Sequence, residues 1–85
     1  PEAAPFRERL WPNPVSDAFE FRGAPGTSLR LFDTSGRLVQ AIVARDGIAR
    51  LDTRRLGLEP GVYLLQAERP GRATRHKLVV CRPRD

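Results

Sequence analysis

The 85-residue sequence contains no methionine and only one each of cysteine, histidine, lysine, tryptophan and tyrosine. Each scarcity excludes something. A lone Cys81 allows no internal disulfide framework and no multi-Cys zinc site, so packing alone must hold the domain together. An unpaired thiol kept to a single copy fits an oxidising compartment. Without methionine, Pro1 is not expected to be a translation start, and the chain is expected to be a piece of a longer protein, with no secretory leader at this end. No apolar run is long enough to span a membrane. No stretch of ten residues carries helical spacing with a cap at each end. The length suits one small domain and is too short for a TIM barrel or a two-lobed nucleotide enzyme.

What is present is arginine. Lysine and arginine total 15 against 10 acidic residues, a net charge of +5, and Lys77 is the one lysine. A basic balance can mark nucleic-acid binding. Here Arg22, Arg30, Arg37, Arg45, Arg50, Arg69, Arg72 and Arg75 are dispersed among apolar runs and interleaved with acids. That dispersal predicts a solvated surface and no nucleic-acid partner.

The apolar residues recur with the period of a strand. Ala18–Arg22 places Phe19 and Phe21 on one face, and Leu29-Arg30-Leu31 alternates likewise. Leu38–Ala44 is rich in β-branched residues. Ile48–Leu51 is short, Val62–Ala67 aligns Tyr63, Leu65 and Ala67, and Ala73–Cys81 centres on Leu78-Val79-Val80. Pro25-Gly26, Asp33–Gly36, Asp46-Gly47 and Pro70-Gly71 separate these runs with turn residues. Asp46-Gly47 predicts a hairpin with a type I′ turn. Together the pattern predicts an all-β, antiparallel sandwich of about seven short strands. Its inward set is expected to include Phe19, Phe21, Leu29, Leu31, Val39, Leu51, Tyr63, Leu65 and Val79. Trp11 is expected to plug one end of the core. The Pro-, Ala- and charge-rich stretch 1–9 is expected to be a linker ahead of a domain spanning 10–85.

Leu58-Glu59-Pro60-Gly61-Val62-Tyr63 is similar to the tyrosine corner of immunoglobulin-like sandwiches, in which the hydroxyl bonds back to the backbone a few residues upstream. Tyr63 is therefore read as structural.

No catalytic constellation emerges. His76 and Cys81 lie five residues apart on one expected strand, which sends them to opposite faces. His76 is expected at the surface and Cys81 as a small buried or edge hydrophobe. Most carboxylates stand beside turns, where Asp bonds its own backbone. Neither a calcium loop nor a phosphate loop has the required spacing. No metal and no cofactor is implied.

Four landmarks in order resemble one family, the C-terminal sorting domain (type A) of type IX secretion substrates. Leu10-Trp11-Pro12-Asn13-Pro14 resembles its opening, with Trp11 where the family usually has Tyr. Leu31–Val39, carrying Asp33, Gly36 and Arg37, resembles its central motif. Gly61-Val62-Tyr63 resembles its Gly-x-Tyr strand entry. Lys77-Leu78-Val79-Val80 resembles its terminal strand, beyond which Arg82 stands where a closing lysine is usual. The resemblance covers Leu10 to Arg82. It departs by an extra residue or two between Leu56 and Gly61, and by the tail Cys81–Asp85.

The resemblance implies a non-catalytic domain that directs a covalently fused N-terminal passenger through the periplasm to the cell surface or the medium. The implied partners are the outer-membrane translocon and its sortase-like peptidase, with cleavage expected in the linker. The terminal strand, expected at a sheet edge, is the part such a partner would read through main-chain hydrogen bonds. The rival reading is a carbohydrate-binding or fibronectin-like accessory module of an extracellular enzyme. A flat aromatic face for sugars is hard to build from one Trp, one Tyr and four Phe.

Overall fold

The computed structural model describes residues 7–82. Seven strands are present among them: β1 (Arg9–Trp11), β2 (Ala18–Arg22), β3 (Thr27–Phe32), β4 (Leu38–Ala44), β5 (Ile48–Asp52), β6 (Gly61–Arg69) and β7 (Arg72–Val80). They form two antiparallel sheets, ordered β1-β2-β5 and β4-β3-β6-β7. The all-β sandwich predicted by the period-two pattern is what the chain forms. Arg9 opens β1, so ordered structure begins within the stretch read as linker; residues 1–6 lie outside the described residues.

The core lies between the sheets. Phe19, Phe21, Leu29, Leu31, Leu51, Tyr63 and Leu65 are buried as expected, and Val39 packs against them from a half-buried position. Val79 departs from the expected set. Tyr63 faces Leu78 across the β6–β7 ladder, so Leu78 and Val80 turn inward and Val79 turns outward beside Val62. Three consecutive apolar residues hide their own phase. The register with the partner strand decides it, because a one-residue step exchanges the two faces.

Trp11 also departs from expectation. It pairs with Glu20, which lies between the inward Phe19 and Phe21 and therefore points out. Leu10, opposite Phe21, takes the inner position, and the indole is left 62% exposed. His76 stands opposite the inward Leu65 and lies on the inner face, its ring edge-on to Phe21 at 6.2 Å. Cys81 follows the end of β7 and is exposed rather than buried.

Asp46-Gly47 does not form a hairpin. β4 and β5 belong to different sheets, and the turn carries the chain between them. Only Gly47 has positive φ, so this is not a type I′ turn. A Cβ on Gly47 would lie 2.4 Å from the carbonyl oxygen of Gly23. Gly47 O in turn accepts from Gly23 N at 2.8 Å, which pins the β4–β5 crossing against the β2–β3 turn. Glycine is required there by both conformation and close approach.

Candidate functional site: the β6–β7 hairpin and its clasp

β6 and β7 are the longest strands, nine residues each, joined at Pro70-Gly71. At the entry to β6 the Tyr63 hydroxyl donates to Glu59 O at 2.7 Å. This is the geometry that the corner motif predicts, and it fixes where β6 begins.

β7 is an edge strand by position, but half of that edge is occupied. Asn13 Nδ2 donates to Lys77 O at 2.6 Å, and Val79 N donates to Asn13 Oδ1 at 3.0 Å. One amide side chain thus supplies both halves of a missing ladder pair. Val15 continues the cover: its N donates to Val79 O and its O accepts from Cys81 N, each at 2.8 Å. Val15 is wholly buried and bridges to Val80 in parallel. Pro12 and Pro14 flank Asn13 and offer no N–H of their own to the β7 edge. The sequence-based expectation of an open terminal edge is therefore corrected from Lys77 to Cys81.

The clasp is braced from behind. Buried Thr53 donates its hydroxyl to Ser16 O and Asp17 O, each at 2.9 Å. Beyond β7, an Arg82 Nη2 hydrogen bond to Leu58 O ties the tail to the loop before β6. At the other end of β7, Glu8 accepts from the Thr74 hydroxyl and lies 2.8 Å from His76 Nε2. Burial pushes the Glu8 carboxyl up. The Thr74 hydroxyl, the His76 ring and the cationic surroundings outweigh it and hold the group below its ordinary value.

The Asp33–Arg37 turn lies apart from this hairpin. Asp33 Oδ1 accepts from Ser35 N, Ser35 Oγ and Arg37 N at 2.9, 2.7 and 3.0 Å. The Ser35 hydroxyl leads these bonds in holding the carboxyl below its usual range. Gly36 takes φ +89°, the conformation this turn demands. The structure thus brings Asn13, Lys77 and Val79 together, with Tyr63, Leu78 and Val80 beneath them. It leaves Asp33, Gly36 and Arg37 in a self-contained turn.

Residues outside the sequence-derived set share the hairpin's outer face. Across the sheet, Leu38, Phe32, Leu64 and Lys77 lie in one row, and Val62 pairs with Val79 beside it. Leu38, Val62 and Leu64 are 49%, 43% and 36% exposed. The next row, Ala41, Arg30, Gln66 and Arg75, is mostly polar. The signal was present in Val62-Tyr63-Leu64-Leu65: with Tyr63 and Leu65 inward, the alternating period leaves Val62 and Leu64 in water.

Among the described residues, no three His, Cys, Asp or Glu side chains gather to hold a metal ion, and no helix is long and apolar enough to cross a membrane. Fold and site together define a small β-sandwich domain in which Asn13, Tyr63 and Arg82 brace one long hairpin. The family of secretion system C-terminal sorting domains matches residues 9–81, and the chain belongs to that family. Its role is that of a type IX secretion sorting domain, a class that is generally non-catalytic.

Two solved structures share the fold. One is PorZ, an essential bacterial surface component of the type-IX secretion system of Porphyromonas gingivalis. It is 22% identical, with a TM-score of 0.78 over 88% of this chain and 11% of that one. The other is dimeric latent PorU from Porphyromonas gingivalis, 24% identical, with a TM-score of 0.64 over 89% of this chain and 9% of that one. The chain therefore spans about a tenth of each of those proteins. No curated protein matches it.

Proposed function

We propose that the outer face of the β6–β7 hairpin is what the outer-membrane translocon of the type IX pathway reads, and that the domain itself catalyses nothing. The observation behind this reading is the exposed apolar strip of Val62 and Leu64 beside Val79, with Lys77 at its border. Apolar side chains kept together in water mark an interaction surface. Main-chain addition at Lys77–Cys81 is not the mode, because Asn13 and Val15 fill that edge. Pro12, Asn13, Pro14, Gly61, Tyr63, Leu78, Val80 and Arg82 serve the signal by holding the strip in place. Asp33, Gly36 and Arg37 shape the β3–β4 turn.

On this reading a passenger is fused ahead of the domain. It passes through the periplasm to the cell surface or the medium, and a sortase-like peptidase cuts in the stretch 1–9. The test is a reporter carrying a signal peptide and this domain, expressed in a host with the pathway and in a translocon-null strain. Surface reporter should be lost in the null strain. Val62→Arg with Leu64→Arg, both on the outer face, should leave melting nearly unchanged and retain the reporter in the periplasm. Equal surface reporter in the two strains overturns sorting by this route. Normal export of the double variant overturns the assigned surface.

A further inference from the structure

The opposite sheet carries a second, chemically different face. On its outer side Trp11, Glu20 and Arg50 form one row, and Arg9, Arg22 and Ile48 form the next. Arg9, Trp11, Glu20 and Arg22 line a half-open cavity of about 300 Å³. That volume is at the lower end of small-molecule sites, which span about 300–1,000 Å³. A smaller depression, sharing Trp11 and Glu20 with the first, extends to Arg50.

Three features make this more than dispersed surface charge. The chain's only indole lies over this cavity, 62% exposed, although burying it would remove a large apolar area from water. The cavity's four lining residues stand on two paired strands, which position side chains more firmly than loops do. Glu20 accepts a charge-assisted hydrogen bond from Arg22 Nε, which orients that guanidinium; among the described residues its terminal nitrogens have no partner.

From this we infer a binding site for a carboxylate-bearing saccharide. An aromatic face accepts the apolar face of a pyranose ring. Arg22, Arg9 and Arg50 offer planar donor forks that match a carboxylate. Glu20 selects within the anions, because a carboxylate in the middle of the site needs a donor opposite it. A sugar hydroxyl supplies one. The phosphodiester group of a single-stranded nucleic acid has no donor of its own to offer Glu20. An acidic peptide such as oligoglutamate brings carboxylates but neither a pyranose ring nor hydroxyls. The site lies on the other sheet from the Val62–Leu64 strip, and the inference does not rest on the reading of that strip.

Because Trp11 is the only tryptophan, its fluorescence in the full chain reports the site directly. Trigalacturonate or a sialic acid dimer should change the emission saturably. The neutral counterpart galactotriose should bind at least about tenfold more weakly, and Arg22→Ala should lose a similar factor for the acidic sugars. Trp11→Ala, followed by calorimetry, should abolish binding while melting like the parent. The inference is overturned by no saturable change with either acidic sugar, or by equal binding of galactotriose. It is also overturned by binding that survives Trp11→Ala, or by tighter binding of oligothymidylate or oligoglutamate. Reporter export fails or succeeds separately, so the two readings are told apart.

Discussion

The corner around Tyr63 and the outer face around Trp11 each hold an aromatic residue found once in the chain. At the corner the ring is 9% exposed, its hydroxyl is bonded to Glu59 O, and the neighbouring Asn13 clasp joins residues 64 and 66 positions apart. At the outer face the ring stands in water among arginines, and the side-chain bond found there among the described residues, between Glu20 and Arg22, spans two residues. The difference separates what makes the domain fold from what it can offer to others. Most long-range side-chain bonds among the described residues end on β7, and the buried rings of Phe19, Phe21 and Tyr63 line the core from both sheets. The β1–β2 outer face is left free of structural duty.

The strongest way to break this contrast is at the corner. Tyr63→Ala removes a buried ring and should cost about 3–5 kcal/mol, enough to unfold much of a small domain. Tyr63→Phe should cost only about 0.5–1.5 kcal/mol, the worth of one hydrogen bond. Chemical denaturation measures both, and a Phe variant as stable as the parent would dissolve the corner's hydroxyl contribution.

Next comes the clasp. Asn13→Ala removes two hydrogen bonds and should cost about 1–3 kcal/mol. Hydrogen exchange should quicken at the Val79 amide and stay unchanged at Ser35, which bonds only within its own turn. Equal protection at Val79 in parent and variant would show that Val15 alone covers the edge.

A smaller effect is expected from acid. Glu8 has a lowered pKa in the folded chain, so its stabilising contribution is present above the unfolded value and is lost as pH falls through the folded one. Glu8→Gln should melt earlier than the parent at neutral pH, and the gap should close in acid. A gap independent of pH would assign the contribution to packing. The smallest effect is at the opposite face, where Trp11→Ala should change stability by no more than about 0.5 kcal/mol. A loss comparable to Tyr63→Ala would erase the contrast.

Much of this architecture was legible locally. Alternation of apolar residues located β2, β3 and β6, because a strand's two faces follow directly from its period. The tyrosine corner and the Asp33–Arg37 turn were legible for the same reason: their hydrogen bonds close within four residues. Pro12-Asn13-Pro14 was legible as a motif of the family and not as a clasp, because its partners lie on β7, more than 60 residues away.

The sequence by itself determined that the chain is all-β, that Phe19, Phe21, Leu29, Leu31 and Leu65 face inward, where the turns fall, and which family it resembles. These follow from period, turn chemistry and ordered motifs, all of which are local or one-dimensional. Only the tertiary structure decided which of Leu78, Val79 and Val80 turns inward, and that Trp11 stands in water. It also decided that His76 meets Glu8 on the inner face, and that β4 and β5 part into different sheets. Each of those outcomes depends on which strand lies beside which and in what register. A side chain's face is set by its partner across the ladder, and that partner comes from a distant part of the chain.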